Sequence, residues 1–157
     1  MIPVQTSHPM NIRTVALTVS APRDTVFNFL ADIENLPKWA PGYCERIALE
    51  RGRWWALTAE GEQVMDMETS AGTGVIDWRA GPLPERMNLI PLRVLALSTR
   101  RSLVTFTLIE APDHPEEAGE RRYEILLDAA RGLLRRFGGG ELHAPPAALQ
   151  FAELGVN

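Results

Sequence analysis

One cysteine stands in 157 residues, so no internal disulfide can form and nothing points to an oxidising compartment. Histidine is scarce as well. His8, His114 and His143 fall in segments that read as solvent-exposed loops, none with a second histidine or cysteine at ligand spacing, which argues against a metal site. A basic excess is also missing: 16 Lys and Arg stand against 20 Asp and Glu, a net charge of -4 that does not suit a nucleic-acid partner. No run approaches the roughly 20 apolar residues of a membrane span. The N-terminus lacks the basic patch and apolar core of a secretory signal, so the chain is read as cytoplasmic. What is present is ordinary for one globular domain, with 45% hydrophobic and 23% charged residues and enough length for a core without staples.

The longest helical pattern covers 113–137. Tyr123, Leu126, Leu127, Ala130, Leu133, Leu134 and Phe137 recur at the spacing of one helix face. Asp113 and Glu116 have capping-box spacing with Pro115 in the first turn, while Arg135, Arg136 and the glycines 138–140 mark the far end. Most of the chain upstream reads as strand. Val15, Leu17 and Val19 alternate with smaller residues in a first strand over 12–20. Ser20 or Ala21 then caps a short helix with Pro22 in its first turn and Val26, Phe27 and Leu30 as its stripe. A second short helix over 33–38 is expected to stop at Pro37 and Pro41. Six further strands follow at 44–51, 53–60, 63–70, 73–79, 87–99 and 103–110, punctuated by glycine and proline. Residues 1–11 read as a leader, 12–138 as one domain and 139–157 as a tail, either disordered or docked on this or a neighbouring subunit.

Two segments carry a resemblance. VALTVSAPRDTVFNFLADIENLPKW over 15–39 and SLVTFTLIEAP over 102–112 are similar to the opening and the last strand of the START-like, or Bet v 1-like, superfamily, and its polyketide cyclase/dehydrase-like proteins are the subgroup most resembled. The resemblance implies an α+β helix-grip fold over about 12–138. In that fold a curved antiparallel seven-stranded sheet wraps around a long C-terminal helix, with two short helices after strand one. It also implies a cavity for a small hydrophobic molecule between sheet and helix, while leaving function open, since one fold hosts many activities.

Candidate lining residues follow from strand parity. Met65 and Met67 are expected inward with Ile76 and Trp78, leaving Asp66 and Glu68 outward within reach of Arg79. Trp55 is grouped with Leu57 and Ala59 on the inner face. Trp54 is then left outside, where a homodimer contact or the docked tail would cover it. Trp39, Phe106, Tyr123, Leu127 and Leu134 complete the apolar wall. Tyr43 either supplies a hydroxyl at the mouth or stacks in the core. Arg93 interrupts the apolar run 89–97, so it either orients a ligand from within or lies on the outer face beside Pro91. Cys44 has no histidine near it in sequence and reads as a small apolar residue. Gly72 and Gly74 precede a strand rather than a helix, so they make a turn and not a phosphate cradle, and no cofactor is expected.

Two functions of different class fit this inventory. One is non-catalytic binding of a small hydrophobic or aromatic ligand. The other is a cyclase or dehydratase whose cavity shapes a polyketide-like substrate while one or two polar residues move protons. An interaction module built on the sheet edge ranks below both.

Overall fold

The structure is a computed structural model that describes residues 10–146. All but the last two residues of the expected leader, and the tail from 147 onward, lie outside the described residues. Strand β1 (Asn11–Val19) leads into α1 (Arg23–Leu30), then a 3-10 turn at Ile33–Asn35 and α2 (Leu36–Trp39). Six strands follow: β2 (Cys44–Glu50), β3 (Arg53–Thr58), β4 (Gly61–Ser70), β5 (Val75–Leu83), β6 (Arg86–Ser98) and β7 (Arg101–Glu110). The long helix α3 (Glu116–Phe137) and a short strand β8 (Leu142–His143) close the order.

These elements form one antiparallel sheet in the order β2-β3-β4-β5-β6-β7-β1-β8. It has eight strands where seven were expected, because Leu142 and His143 pair with Leu17 and Ala16 at the edge of β1. A docked arm therefore describes this part of the chain. It docks because Gly140 follows a sharp exit from α3 and brings Glu141 beside Thr18, whose N–H donates to Glu141 O at 3.0 Å.

Alternation places the core. On β1 and β7 the buried residues Val15, Leu17 and Val19 share one face with Val104, Phe106 and Leu108, and β1 opposite β7 runs from Asn11↔Glu110 to Val19↔Ser102. Met65, Ile76, Trp78, Leu92 and Val94 continue that face toward the other edge. Helix α3 covers it with Tyr123, Leu126, Leu127, Ala130 and Leu133, all buried as the spacing predicts. Trp39 is packed between Phe106, stacked at 5.7 Å, and Trp78, edge-on at 6.0 Å. Such aromatic pairs add about 0.5–1.5 kcal/mol each beyond their area.

Several local expectations change. No capping box forms at α3, because the cap position is held by Pro115 rather than Asp113 and proline has no side-chain acceptor. Pro22 is the cap residue of α1, and neither Ser20 nor Ala21 caps it. Pro37 sits inside the first turn of α2 rather than ending a helix, since a proline there forfeits no intrahelical bond.

Candidate functional site

Strand β7 buries alternate residues from Ser102 to Leu108 and then, at the next inward position, buries a carboxylate, Glu110. A buried charge needs partners. Arg122, in the second turn of α3, supplies a two-pronged one: Nε donates to Oε2 at 2.8 Å and Nη2 to Oε1 at 2.7 Å. His114 Nδ1 lies 2.9 Å from Oε1, and Arg122 Nη1 donates to Glu60 Oε2 at 3.1 Å. Burial alone would raise the Glu110 carboxyl, but the hydrogen bonds from Arg122 and His114 together outweigh it and hold the group below the usual carboxylate range. The same bond to Glu110 raises Arg122 above its ordinary value against burial.

This cluster forms one wall of a cleft of about 450 Å³ between the ends of β4–β7 and the first half of α3. Gln63, Ala80, Asn88, Ile90 and Leu108 come from the sheet, and Ala118, Arg121 and Arg122 from the helix. Tyr43, from the turn after α2, stands between them. Its hydroxyl donates to Gln63 Oε1 at 2.9 Å while its ring meets Trp78 edge-on at 5.1 Å, so it serves both roles that the sequence left open. Burial, and then the neighbouring Cys44 and Glu60, push its phenol well above the ordinary value, so it is a hydrogen-bond donor rather than a base.

Behind the cleft lies an almost wholly apolar recess of about 40 Å³ lined by Trp39, Tyr43, Trp78, Ile90, Leu108, Ile125, Leu126 and Ala129. It shares Tyr43, Ile90, Leu108 and Arg122 with the cleft. The indole N–H groups of Trp39 and Trp78 are buried and have no hydrogen-bond partner among the described residues. Each such donor costs about 1–3 kcal/mol. Larger hollows of about 670 and 620 Å³ exist between α2 and α3 and on the outer face of β2–β3, but charged side chains such as Arg135 and Arg136, or Arg46 and Arg53, line them, and Trp78 lines neither.

Of the expected set, Tyr43 lines the cleft, and Trp39 and Trp78 line the recess behind it. Met65 and Phe106 are fully buried in the core beside it, and Met67 packs half-buried opposite Trp78. One open question is decided and two expectations are corrected. Arg93 lies on the outer face, paired with Asp77 at 2.9 Å, because it stands opposite Val75 and Thr105 and so one residue out of phase with buried Leu92 and Val94. Trp54 and Trp55 exchange faces. Trp54 stands opposite Met65 and packs on the core, whereas Trp55 stands opposite Ala48 and lines the outer groove, since Ala56, not Leu57, is the buried residue of β3. Tyr123, Leu127 and Leu134 do not line the cleft. Tyr123 is turned to the β1 side of α3, with Arg13 stacked 3.9 Å over its ring and its hydroxyl donating to Pro145 O. The outward pairs of Arg79 with Asp66 at 3.4 Å and Glu68 at 2.9 Å occur as the register predicts.

Sequence reasoning missed Glu110, His114, Arg122 and Gln63. His114 is half-buried rather than solvated, and it meets Glu110 across a single turn. One signal was available: extending the alternation Val104, Phe106, Leu108 by one step places Glu110 inside. Cys44 is fully buried and its thiol is pushed by burial up to about 11, in keeping with an inert apolar role. Among the described residues no group of three or more His, Cys, Asp or Glu is placed to hold a metal, and no helix is long and apolar enough to cross a membrane.

An antiparallel sheet gripping one long C-terminal helix, with a cleft between them, defines the helix-grip class. No family model and no curated protein matches the chain. Solved structures do. XoxI from Bacillus cereus superposes with a TM-score of 0.65 at 16% identity over 80% of this chain and 94% of that one. The Zhui aromatase/cyclase from Streptomyces sp. R1128 gives 0.59 at 20% identity, over 81% and 90%. A START superfamily protein from Mycobacterium smegmatis gives 0.58 at 14%, over 82% and 96%. The chain therefore shares the helix-grip fold of these structures, the fold that its sequence resembles.

Proposed function

We propose that the chain binds a small hydrophobic or aromatic molecule in the cleft between the sheet and α3. The observation that carries this reading is a cleft of about 450 Å³ whose polar rim, Gln63, Glu110, His114 and Arg122, gives way to an apolar recess lined by Trp39, Tyr43 and Trp78. Apolar walls with few fixed polar groups are the usual make-up of a small-molecule site of this size. The ligand class agrees with a START-like fold. The test is titration with 1-aminoanthracene, followed by its fluorescence and by native mass spectrometry of the complex. Ala118→Trp, which fills the cleft from α3, is expected to weaken binding about tenfold or more, while Arg93→Met on the outer face leaves it unchanged. Equal affinity in the parent and Ala118→Trp, or no uptake of any apolar molecule, would overturn the reading.

A second reading, turnover of a cleft-bound polyketide-like substrate, is supported by one arrangement: the His114 imidazole held against Glu110 at the rim beside the Tyr43 hydroxyl. Such a pair can take and return a proton. Loss of turnover with retained affinity in His114→Asn would favour this reading over the carrier.

A further inference from the structure

Strand β2 is an edge of the sheet. Among the described residues no strand pairs with its other side. Its regular part begins after a bulge between Cys44 and Arg46 and reads Arg46, Ile47, Ala48, Leu49, Glu50. All five but Ile47 are exposed, and Leu49 leaves 58% of its surface in solvent. A bulge and terminal charges are common devices for keeping an edge from pairing with arbitrary strands. Here the charges are of opposite sign at the two ends, and that permits one partner in particular.

We propose that this edge is a self-recognition surface, on which β2 of a second copy pairs antiparallel about a two-fold axis through Ala48. In that register residues equidistant from Ala48 stand opposite one another. Arg46 faces Glu50 of the partner, Ile47 faces Leu49, Ala48 faces Ala48, and the two-fold repeats each contact. The two ion pairs lie with Ala48 on the outer face, and the Ile47–Leu49 pairs lie on the inner face, where the exposed Leu49 gains cover.

Backbone geometry permits this register and excludes its one-residue neighbours. Arg51 and Gly52 both have positive φ, 54° and 77°, forming the two-residue turn that closes the β2–β3 hairpin on the pair Glu50↔Arg53. That closing pair exchanges hydrogen bonds, so Glu50, Ala48 and Arg46 turn their N–H and C=O groups toward β3. Ile47 and Leu49 then turn theirs toward the open edge. Ile47 opposite Leu49 is accordingly the hydrogen-bonded pair that an added strand needs, and a two-fold axis falls on the non-bonded pair Ala48–Ala48. Shifting by one residue sets bonded against non-bonded positions and sets Arg46 opposite Leu49. The cleft, built from β4–β7 and α3, stays open in such a pair.

The test is sedimentation of the full chain over a concentration series, with charge variants at exposed positions. Arg46→Glu and Glu50→Arg should each weaken self-association about tenfold or more, since each turns two attractive cross-strand pairs into repulsive ones. An equimolar mixture of the two variants should associate like the parent, because every cross-pair is again of opposite charge. Ala48→Cys should form a covalent dimer on mild oxidation, its two Cβ atoms being close across the axis while Cys44 stays buried. A parent chain that sediments as a monomer throughout, single variants that associate like the parent, or a mixture that does not recover would each overturn the proposal.

Discussion

Glu110 is the residue on which the candidate site depends, and its setting makes a pH prediction. Its folded-state pKa is held below the unfolded value of about 4.5 by hydrogen bonds that outweigh burial. A carboxyl depressed in this way contributes stability above the unfolded value and loses it as pH falls through the folded one. Glu110→Gln is therefore expected to lower stability at neutral pH by about 1–3 kcal/mol, the range for hydrogen bonds to a charged group, and to flatten the loss between neutral pH and about pH 3. Thermal unfolding across that range checks it; parallel pH profiles for parent and variant would refute it. Individual residues were the least legible level of the sequence. Parity read correctly for Met65, Ile76, Trp78 and Arg79 because apolar and charged residues alternate there, Met65 and Met67 with Asp66 and Glu68, Ile76 and Trp78 with Asp77 and Arg79. It failed at Trp54 and Trp55, where two large apolar residues are adjacent and composition cannot say which is in phase with Ala56. Arg93 was undecided for the same reason, both faces of β6 being rich in aliphatic residues.

At the scale of elements, α3 and its exit tie the molecule together. Its N-terminal half is held to β7 through Arg122 and Glu110, and its C-terminal end to α1 through Phe137 on Phe29, 5.6 Å apart and edge-on. Gly138 then turns the chain out, with φ at 77° and its N–H donating to Leu134 O. Gly140 has φ at 140°, and a Cβ there would stand 1.6 Å from the Thr18 carbonyl oxygen, so this close crossing is what lets β8 reach β1. Gly140→Ala should destabilise the protein by about 1–3 kcal/mol through backbone strain and steric conflict. It should also speed hydrogen exchange at the Thr18 amide, which donates to Glu141. Unchanged exchange at Thr18 would show that this docking does not depend on glycine. Glycine 138–140 was legible as a helix stop, but not as a strand connector. The difference is that β8 is two residues long and has no alternation of its own to detect.

For the whole molecule, the sheet's neighbour order sets the folding problem. Strand β1 finds its main partner in β7, at the far end of the strand series, and only then can α3 close over both. Such non-local pairing places refolding in about the millisecond-to-second range, with β1–β7 pairing late, and stopped-flow tryptophan fluorescence would read it. Refolding in microseconds would contradict the order of events. Local chemistry determined the elements: turns at glycine pairs, strands by period two and one long helix by period 3.6, and together these also carried the family resemblance and so the fold. What the tertiary structure alone decided is which face each ambiguous strand turns inward and which polar groups meet. His114 meets Glu110 within one local turn, but Arg122 joins them only because the end of β7 lies beneath the first turns of α3, a juxtaposition set by packing between elements. Sequence periodicity describes one element at a time, so the grip was written in the chain, while the cleft and its polar rim arose only where the elements met.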